Sequence, residues 1–229
     1  MAYEDFTTYT EVDPGANITK TATKVSWDDL ATGSESYICD DKGVDHFSGD
    51  FEHLLEITMS DCGFLAYQCW WVLANGLGTP SALATGGGDL YYFYQFGGSS
   101  IGITIIENGV NGGSDYWGSP SQSTLYFVTI NRDDDSGANS TGRLTVYIRT
   151  GSHTGTLKDT LTVDCKAGEQ NDFRYVYPCS SYGYGSQTCD GYTQNLDLQE
   201  AAPPVGATPL LVGGGMGQTM GSNCNLMTG

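Results

Sequence analysis

The alternation that decides the fold is Phe51-Glu52-His53-Leu54-Leu55-Glu56-Ile57-Thr58-Met59. Residues two apart on a β-strand point to the same face, so a strand with one face in a core alternates between apolar and polar side chains. One face of this stretch carries mainly apolar side chains, namely Phe51, His53, Leu55, Ile57 and Met59. The opposite face carries carboxylates, a hydroxyl and one leucine, which is typical of an antiparallel sheet with one solvated face.

Similar short runs continue to residue 200, separated by turns rich in Gly, Asn, Asp and Pro. They predict roughly a dozen strands, at residues 6–12, 18–27, 37–39, 51–59, 66–73, 90–96, 101–107, 124–131, 144–149, 160–163, 173–177 and 192–198. No helical stripe of convincing length accompanies them. We therefore predict an all-β fold, an antiparallel β-sandwich of jelly-roll type, in one domain over residues 1–200.

The charge balance narrows the classes of partner. The chain has 229 residues, of which 27 are acidic and 9 basic, so its formal net charge is −18. Phosphate contacts need clusters of Lys and Arg, so this balance argues against a nucleic-acid binder and disfavours anionic membrane surfaces. The first residues have neither the basic nor the apolar region of a signal peptide, and no apolar run is long enough to span a bilayer. We expect no nucleic-acid partner and no membrane partner.

The composition changes after Glu200. Two prolines, Pro203 and Pro204, end the last strand, and no charged residue follows to the C-terminus. Residues 201–229 are rich in Gly, Met and small side chains, with one apolar cluster at 210–212. Because a free tail in solution usually carries charge, we predict an irregular extension that acts as a subunit-contact arm. The alternative is a flexible glycine tail.

The seven cysteines form no CxxC pair and no cluster with zinc-site spacing. Their odd number leaves at least one thiol unpaired. The sequence offers two disulfide candidates, Cys179 with Cys189 across a Tyr/Gly/Ser loop and Cys62 with Cys69 across a possible turn. The remaining cysteines are interpreted as small buried hydrophobic residues.

Two acidic groups are candidates for chemistry. Asp50 and Glu52 are two residues apart on one strand face, at roughly 6.6 Å, a separation compatible with the acid pair of a glycoside hydrolase. Asp133, Asp134 and Asp135 stand in a polar loop where they could offer oxygen ligands to calcium. The spacing of these three residues is not that of an EF-hand, so a solvated turn is the alternative, and no cofactor is predicted beyond possible Ca²⁺ binding.

Aromatic residues in predicted loops are the candidate sugar-binding residues, because loops carry function more often than strands do. They are Tyr116 and Trp117 in a glycine-rich segment, and Tyr182 and Tyr184 in the loop between two cysteines. Packing or subunit contact is the alternative for all four. The pair Trp70-Trp71 is expected to point one indole to each face of its strand.

Three parts of the sequence together carry a resemblance to a known family. They are Lys42-Gly43-Val44-Asp45-His46-Phe47 running into residues 50–53, residues 125–133 followed by 144–148, and the closing residues 191–198. The set resembles the concanavalin A-like lectin/glucanase domains of phage and environmental viral sequences, over roughly residues 3–200.

That fold serves lectins, hydrolases and structural modules alike. The glucanase pattern Glu-x-Asp-x-(x)-Glu is absent here. The resemblance therefore implies a non-catalytic module, and its viral character implies a decoration, fibre or capsid-associated subunit of a virion assembled in the host cytoplasm. Such a subunit would bind other virion subunits or copies of itself, with glycans as a further candidate partner. The alternatives are a glycoside hydrolase or a secreted, extracellular carbohydrate-binding lectin.

Overall fold

The computed structural model describes residues 2–97, 100–138, 141–165 and 172–200. Within these residues the elements are a 3₁₀ helix, Phe6–Thr8, one short α-helix, α1 at Pro80–Thr85, and fourteen β-strands. The strands are β1 Thr10–Val12, β2 Ile18–Lys20, β3 Lys24–Ala31, β4 Tyr37–Asp41, β5 Phe51–Cys62, β6 Tyr67–Ala74, β7 Leu90–Phe96, β8 Ser100–Glu107, β9 Val110–Gly118, β10 Leu125–Asp133, β11 Arg143–Thr150, β12 Thr156–Asp164, β13 Tyr175–Ser181 and β14 Thr188–Asp197.

The described strands form two seven-stranded antiparallel sheets that pack face to face. Sheet A has the order β1-β4-β13-β6-β7-β8-β9, and sheet B has the order β12-β11-β10-β5-β14-β3-β2. The prediction of an all-β antiparallel sandwich is thus confirmed. Consecutive strands often lie in different sheets, as β4, β5 and β6 do, which distinguishes this topology from a simple meander.

The core lies between the two sheets, and the alternation in β5 places it correctly. Leu55, Ile57 and Met59 are fully buried against the inner side chains of the neighbouring strand β10, which include Val128 and Ile130. Burial of apolar surface contributes about 25 cal/mol per Å², so these inner faces supply most of the stabilisation of the sandwich. The carboxylates of β5 are left on the outer face of sheet B.

One prediction of side-chain direction is wrong. Trp70 and Trp71 both lie fully buried in the core between the sheets, instead of on opposite faces of β6. The pairing of β6 with β7 shifts register between Cys69 and Trp71. A β-bulge of this kind inserts one extra residue and breaks the two-residue period, so two consecutive side chains turn toward the same face.

A second correction concerns the segment that contains Tyr116 and Trp117. It was predicted as a loop, but it is strand β9 at one edge of sheet A. Asn108 and Gly109 connect β8 to β9 with φ of 51° and 73°. Two consecutive residues with positive φ make the type I′ turn that suits a tight hairpin, and Asn-Gly is its preferred sequence.

The disulfide pairings predicted from the sequence are also wrong. Cys62 is bonded to Cys189, while Cys69 and Cys179 are free and buried. The reason is topological, because Cys62 and Cys189 lie on β5 and β14 of sheet B, and Cys69 and Cys179 lie on β6 and β13 of sheet A. Each predicted pair would have had to join the two sheets, whereas Cys62 and Cys189 are directly opposite each other in the ladder.

The predicted domain boundary at residue 200 stays a prediction. The predicted contact arm, residues 201–229, lies outside the described residues and stays a prediction. None of the helices in the described part of the chain is long and apolar enough to cross a membrane.

Candidate functional site

A groove of about 770 Å³ lies on the outer face of sheet B. Its floor is formed by the outward side chains of β5, β10, β11 and β14, and the turn after β11 forms one wall. The lining residues are Ala2, Glu52, Leu54, Thr129, Asn131, Tyr147, Arg149, His153, Thr154, Asp197, Gln199 and Glu200. Most of the lining residues are therefore polar or charged, and one of them is a tyrosine.

The ladder of sheet B fixes the positions of the floor residues. Leu54 on β5 is directly opposite Thr129 on β10, which is in turn opposite Tyr147 on β11. Asn131 is opposite Glu52 in the next row on the same face. Side chains directly opposite each other on one face lie about 4.5–5.5 Å apart at Cβ, so these five residues form one continuous surface.

A bulge in β14 brings Asp197 to the groove. The pairing of β14 with β5 shifts register between Gln194 and Asp197, and Asn195 has φ of 53°. Without the extra residue, strict alternation from Gln194 would point Asp197 into the core. With it, Leu196 packs in the core and Asp197 lies outside, opposite Leu54. Bulges commonly redirect a side chain in this way beside functional sites.

The same bulge satisfies a second carboxylate. Gln194 Nε2 donates to Glu56 Oε2 at 2.7 Å, and Asn195 Nδ2 donates to Glu56 Oε1 at 2.9 Å. Two consecutive amides can reach one carboxylate only because the backbone is irregular between them. Glu56 is therefore a structural carboxylate beneath the groove, with both oxygens occupied.

Two buried acceptor atoms of the groove have no hydrogen-bond partner within the described part of the chain. Asp197 is 3% exposed, and its Oδ1 accepts from the Gln199 amide at 2.9 Å, but its Oδ2 accepts from no group. Asn131 Oδ1 is likewise buried and unpartnered. Native proteins leave few buried polar atoms unpaired, because each costs about 1–3 kcal/mol. Because Asn131 and Asp197 both line the groove, these acceptors are suited to a ligand that donates hydrogen bonds.

Arg149 and His153 form the basic side of the groove. The Arg149 guanidinium lies over the Tyr147 ring, 4.8 Å from its centroid, and the His153 ring meets Phe127 edge to face at 5.4 Å. Burial lowers the pKa of His153 from its ordinary value, against the opposing influence of the nearby carboxylates, Glu56 first. His153 is therefore neutral at pH 7, and its buried Nδ1 has no partner.

A second chamber of about 300 Å³ continues the groove beyond Glu52 and Glu200, which line both. Glu200 Oε1 lies 2.6 Å from His46 Nε2 at its rim. At its base the buried His53 accepts a hydrogen bond from Trp71 Nε1 at 3.1 Å. Burial lowers the pKa of His53 to about 3, so this ring is neutral and its Nδ1 serves as an acceptor.

The predicted acid pair lies along this groove. Glu52 is exposed and lines both chambers, and Asp50 lines the second chamber. Asp50 Oδ1 accepts a hydrogen bond from the Asp134 amide at 2.8 Å, so this carboxylate also holds the loop after β10. The two side chains share one surface, but only Glu52 lies in the larger chamber.

The predicted calcium loop does not converge. Asp133 Oδ1 accepts from the Asp135 and Ser136 amides at 3.0 Å each, and Asp134 Oδ1 accepts from Arg132 Nε at 2.6 Å. The carboxylates are thus used within the turn instead of facing a common centre. No group of three or more potential metal ligands occurs anywhere in the described part of the chain. Calcium binding by Asp133, Asp134 and Asp135 therefore gains no support from this loop and stays a prediction.

The four predicted aromatic residues lie away from the groove. Tyr116 and Tyr182 contact the outer face of sheet A, where Tyr116 is 6.3 Å from Tyr94 and Tyr182 stacks on Tyr67 at 5.1 Å. Trp117 packs toward the core, against Tyr126. Tyr184 is exposed in the loop between β13 and β14.

The sequence interpretation missed the groove residues Asn131, Tyr147, Arg149, His153 and Asp197. A signal for three of them was present, because the outward positions are polar from Thr129 to the end of β10 and along all of β11, and they include Asn131, Tyr147 and Arg149. These positions are adjacent to the acidic face of β5, so their registers predict one polar surface. Asp197 could not be found this way, since its direction depends on the bulge.

Comparison with known proteins supports the fold. No protein-family model matches the sequence, and no curated protein matches it either. Solved structures do match, including a legume lectin-like domain from Entamoeba histolytica (TM-score 0.56, 12% identity, 85% of this chain and 90% of that one). A functionally unknown protein from Saccharomyces cerevisiae (TM-score 0.55, 9% identity, 87% and 100%) and an alginate lyase (TM-score 0.51, 14% identity, 84% and 86%) are also similar. These likenesses confirm the lectin-like, concanavalin A-like jelly-roll fold.

Proposed function

We propose that the protein binds carbohydrate, without transforming it, in the groove on the outer face of sheet B. The observation that carries this proposal is the pair of unpartnered buried acceptors, Asp197 Oδ2 and Asn131 Oδ1, in an open groove. Sugar hydroxyls donate hydrogen bonds, and binding sites use a few well-placed polar groups to orient such ligands. The groove also offers the aromatic ring of Tyr147.

The structural neighbours agree with this choice. One is described as a legume lectin-like domain, and another, the VIP36 exoplasmic/lumenal domain, is described in a Ca²⁺/Man3GlcNAc-bound form. Fold alone does not define function, so the proposal depends on the groove and its unpaired acceptors. The neighbours add that a sandwich of this kind is suited to presenting such a surface.

A binding experiment tests both the activity and its place. Affinity electrophoresis through gels containing different polysaccharides identifies a ligand, and calorimetry measures its dissociation constant. We expect Tyr147→Ala to weaken binding about tenfold, because a lost aromatic contact is worth about 1–1.5 kcal/mol. Tyr116→Ala and Tyr184→Ala are the matched controls and should bind as the native protein does. If the two controls lose binding and Tyr147→Ala keeps it, the aromatic residues first predicted from sequence form the site instead.

The second candidate is a glycoside hydrolase or lyase. What favours it is the neutral, half-buried His153 beside the carboxylate of Asp197, since a neutral imidazole with a free nitrogen can act as a general base. A screen for new reducing ends and unsaturated uronates measures turnover. Turnover abolished by Asp50→Asn or Glu52→Gln would support catalysis by the predicted acid pair, and loss in His153→Gln alone would support catalysis by the imidazole.

The viral resemblance implies a more specific role, that of a virion surface subunit. We propose that the protein binds carbohydrate as such a subunit. It is supported by an exposed apolar surface at the end of the sandwich, where Phe64 and Leu65 are 84% and 60% exposed. Such residues suit contact with other subunits. Size-exclusion chromatography tests this role, because Phe64→Ser with Leu65→Ser should reduce any self-association. A monomer that ignores every partner would contradict the assembly role and leave an extracellular lectin as the alternative.

A further inference from the structure

The groove is rich in acceptors and carboxylates, and this composition points to a class of ligand. We propose that it selects glycans that carry protonated amino groups, such as oligomers of glucosamine, over neutral glycans and over polyuronates. Asp197 and Glu52 would be the partners of the ammonium group. This inference rests on the proposed function, since it names the glycan class for the same groove.

The balance of charge in the lining is negative. Glu52, Asp197 and Glu200 contribute carboxylates, and Arg149 contributes a guanidinium that lies over the Tyr147 ring. The remaining basic group, His153, is neutral at pH 7 because burial lowers its pKa. The whole chain adds a net charge of −18 around the site. A ligand with carboxylates at every sugar would meet like charges here, and like charges brought together disfavour binding.

The buried Oδ2 of Asp197 is the acceptor that we expect to bind the ammonium group. The Asp197 side chain lines the groove and is 3% exposed, and its buried Oδ2 has no partner among the described residues. A neutral hydroxyl could donate to it, but an ammonium donor makes a charge-assisted hydrogen bond, which is roughly twice as strong. An ammonium group also has three donors, so it can satisfy a neighbouring acceptor such as Asn131 Oδ1 at the same time.

Glu52 extends the same preference into the second chamber. It lines both parts of the groove, is exposed, and is opposite Asn131 in the ladder. Asp197 is opposite Leu54, two residues along the same strand face from Glu52. Diagonal neighbours of this kind lie about 7–8 Å apart on a sheet. The two carboxylates that face the groove are therefore separated by more than the length of a single hydrogen bond. The arrangement suits a chain of amino sugars better than a single cation.

The test measures selectivity with ligands of equal length. Hexamers of glucosamine, of N-acetylglucosamine and of a uronic acid are titrated into the native protein by calorimetry at about pH 6, in low salt with EDTA. We expect the glucosamine hexamer to bind at least tenfold more tightly than the acetylated one, and the uronate to show no binding. Raising the salt should reduce the difference, because exposed charges are screened over about 10 Å at 0.1 M.

Variants separate this inference from the proposed function. Asp197→Asn and Glu52→Gln should each reduce the preference for glucosamine about tenfold, while Glu35→Gln, which removes the same charge from the exposed β3–β4 turn, should not change it. Because Glu52 is exposed, its variant will fold even if Asp197→Asn does not. If the acetylated or uronate hexamer binds as well as glucosamine, or if Glu35→Gln changes the preference equally, the inference is wrong and carbohydrate binding stands. If no glycan binds at all, the proposed function fails.

Discussion

The two outer faces of this sandwich have opposite chemistry. The outer face of sheet A is a second apolar cluster, built around Tyr92, Tyr94 and Tyr177 and covered in part by Leu83 of α1 and by Tyr182. Among the residues that the structure describes, none forms such a cover over the outer face of sheet B, and the outward side chains of this sheet form the groove. Both faces belong to strands with similar inner residues, so the difference arises from what lies above each sheet.

From this difference we infer that the outer face of sheet A contributes mainly to stability, whereas the outer face of sheet B carries the candidate binding surface. On sheet A the aromatic side chains of β7 alternate between the two faces. Tyr91 and Phe93 lie in the central core, Tyr92 and Tyr94 lie in the outer cluster, and all four are buried. On sheet B the outer face keeps unpaired acceptors at Asn131 and Asp197. A face buried on both sides stabilises the fold, whereas an open face with unsatisfied groups can recognise a ligand.

The largest effect is expected from truncating the same residue type on each face. Tyr92→Ala should lower the free energy of unfolding by about 3–5 kcal/mol, because it empties a buried site in the outer cluster of sheet A. Tyr147→Ala, which truncates a half-buried side chain of the groove, should lower the free energy of unfolding by about 1 kcal/mol. Denaturant unfolding of both variants measures the difference. Equal losses would show that sheet A is not the more stabilising outer face.

The next effect concerns the disulfide that joins the two central strands of the groove floor. Cys62 on β5 and Cys189 on β14 are separated by 127 residues, so their bond restricts the unfolded chain strongly. Replacing both with Ala should lower stability by about 2–4 kcal/mol. The double variant Cys69→Ala with Cys179→Ala, on sheet A, is the comparison, since these thiols are free and buried. Thermal unfolding without and with added reductant checks whether only the first double variant removes the dependence of the melting temperature on reductant.

Much of this architecture could be predicted from the sequence, but the bulges could not. The alternation in β5 located the core and the acidic outer face of sheet B correctly. The failures at Trp71 and Asp197 occurred where regular alternation was applied to a bulged strand, and the failure at Trp117 occurred where a strand was interpreted as a loop. An extra residue in a strand leaves no trace in hydrophobic pattern alone, because the register depends on pairing with a partner strand that is distant in sequence.

The Asn108-Gly109 turn is the exception, since its sequence is a direct signal for a tight hairpin. Interpreted as a hairpin turn, Asn108-Gly109 predicts a following strand in which Tyr116 and Trp117 point to opposite faces. The disulfide pairing needed more than local sequence, because Cys62 and Cys189 meet only after both strands have entered sheet B. Local patterns therefore predicted the elements, and long-range pairing determined the site.

A smaller effect comes from acidification and involves the inner side of sheet B. Folded His53 stays neutral down to about pH 3, whereas an exposed histidine in the unfolded chain protonates below about pH 6.5. The unfolded state therefore binds more protons between these values, and stability falls as the pH falls. Lowering the pH from 7 to 5 should cost about 2 kcal/mol through this residue. His53→Gln keeps an acceptor for Trp71 and should flatten the profile. An unchanged slope would assign the pH dependence to the carboxylates.

The smallest expected change has the opposite sign and tests whether the groove is kept at the expense of stability. Asp197→Asn retains an oxygen for the Gln199 amide and replaces a buried carboxylate whose Oδ2 has no partner among the described residues. We expect unfolding to become harder by about 0.5–1 kcal/mol, in the range common when a functional polar group is replaced. Chemical denaturation of the ligand-free protein measures this gain, with Glu35→Gln as the control for net charge. A loss of stability instead would mean that Asp197 is paired in solution, and the case for an open ligand acceptor in the groove would go with it.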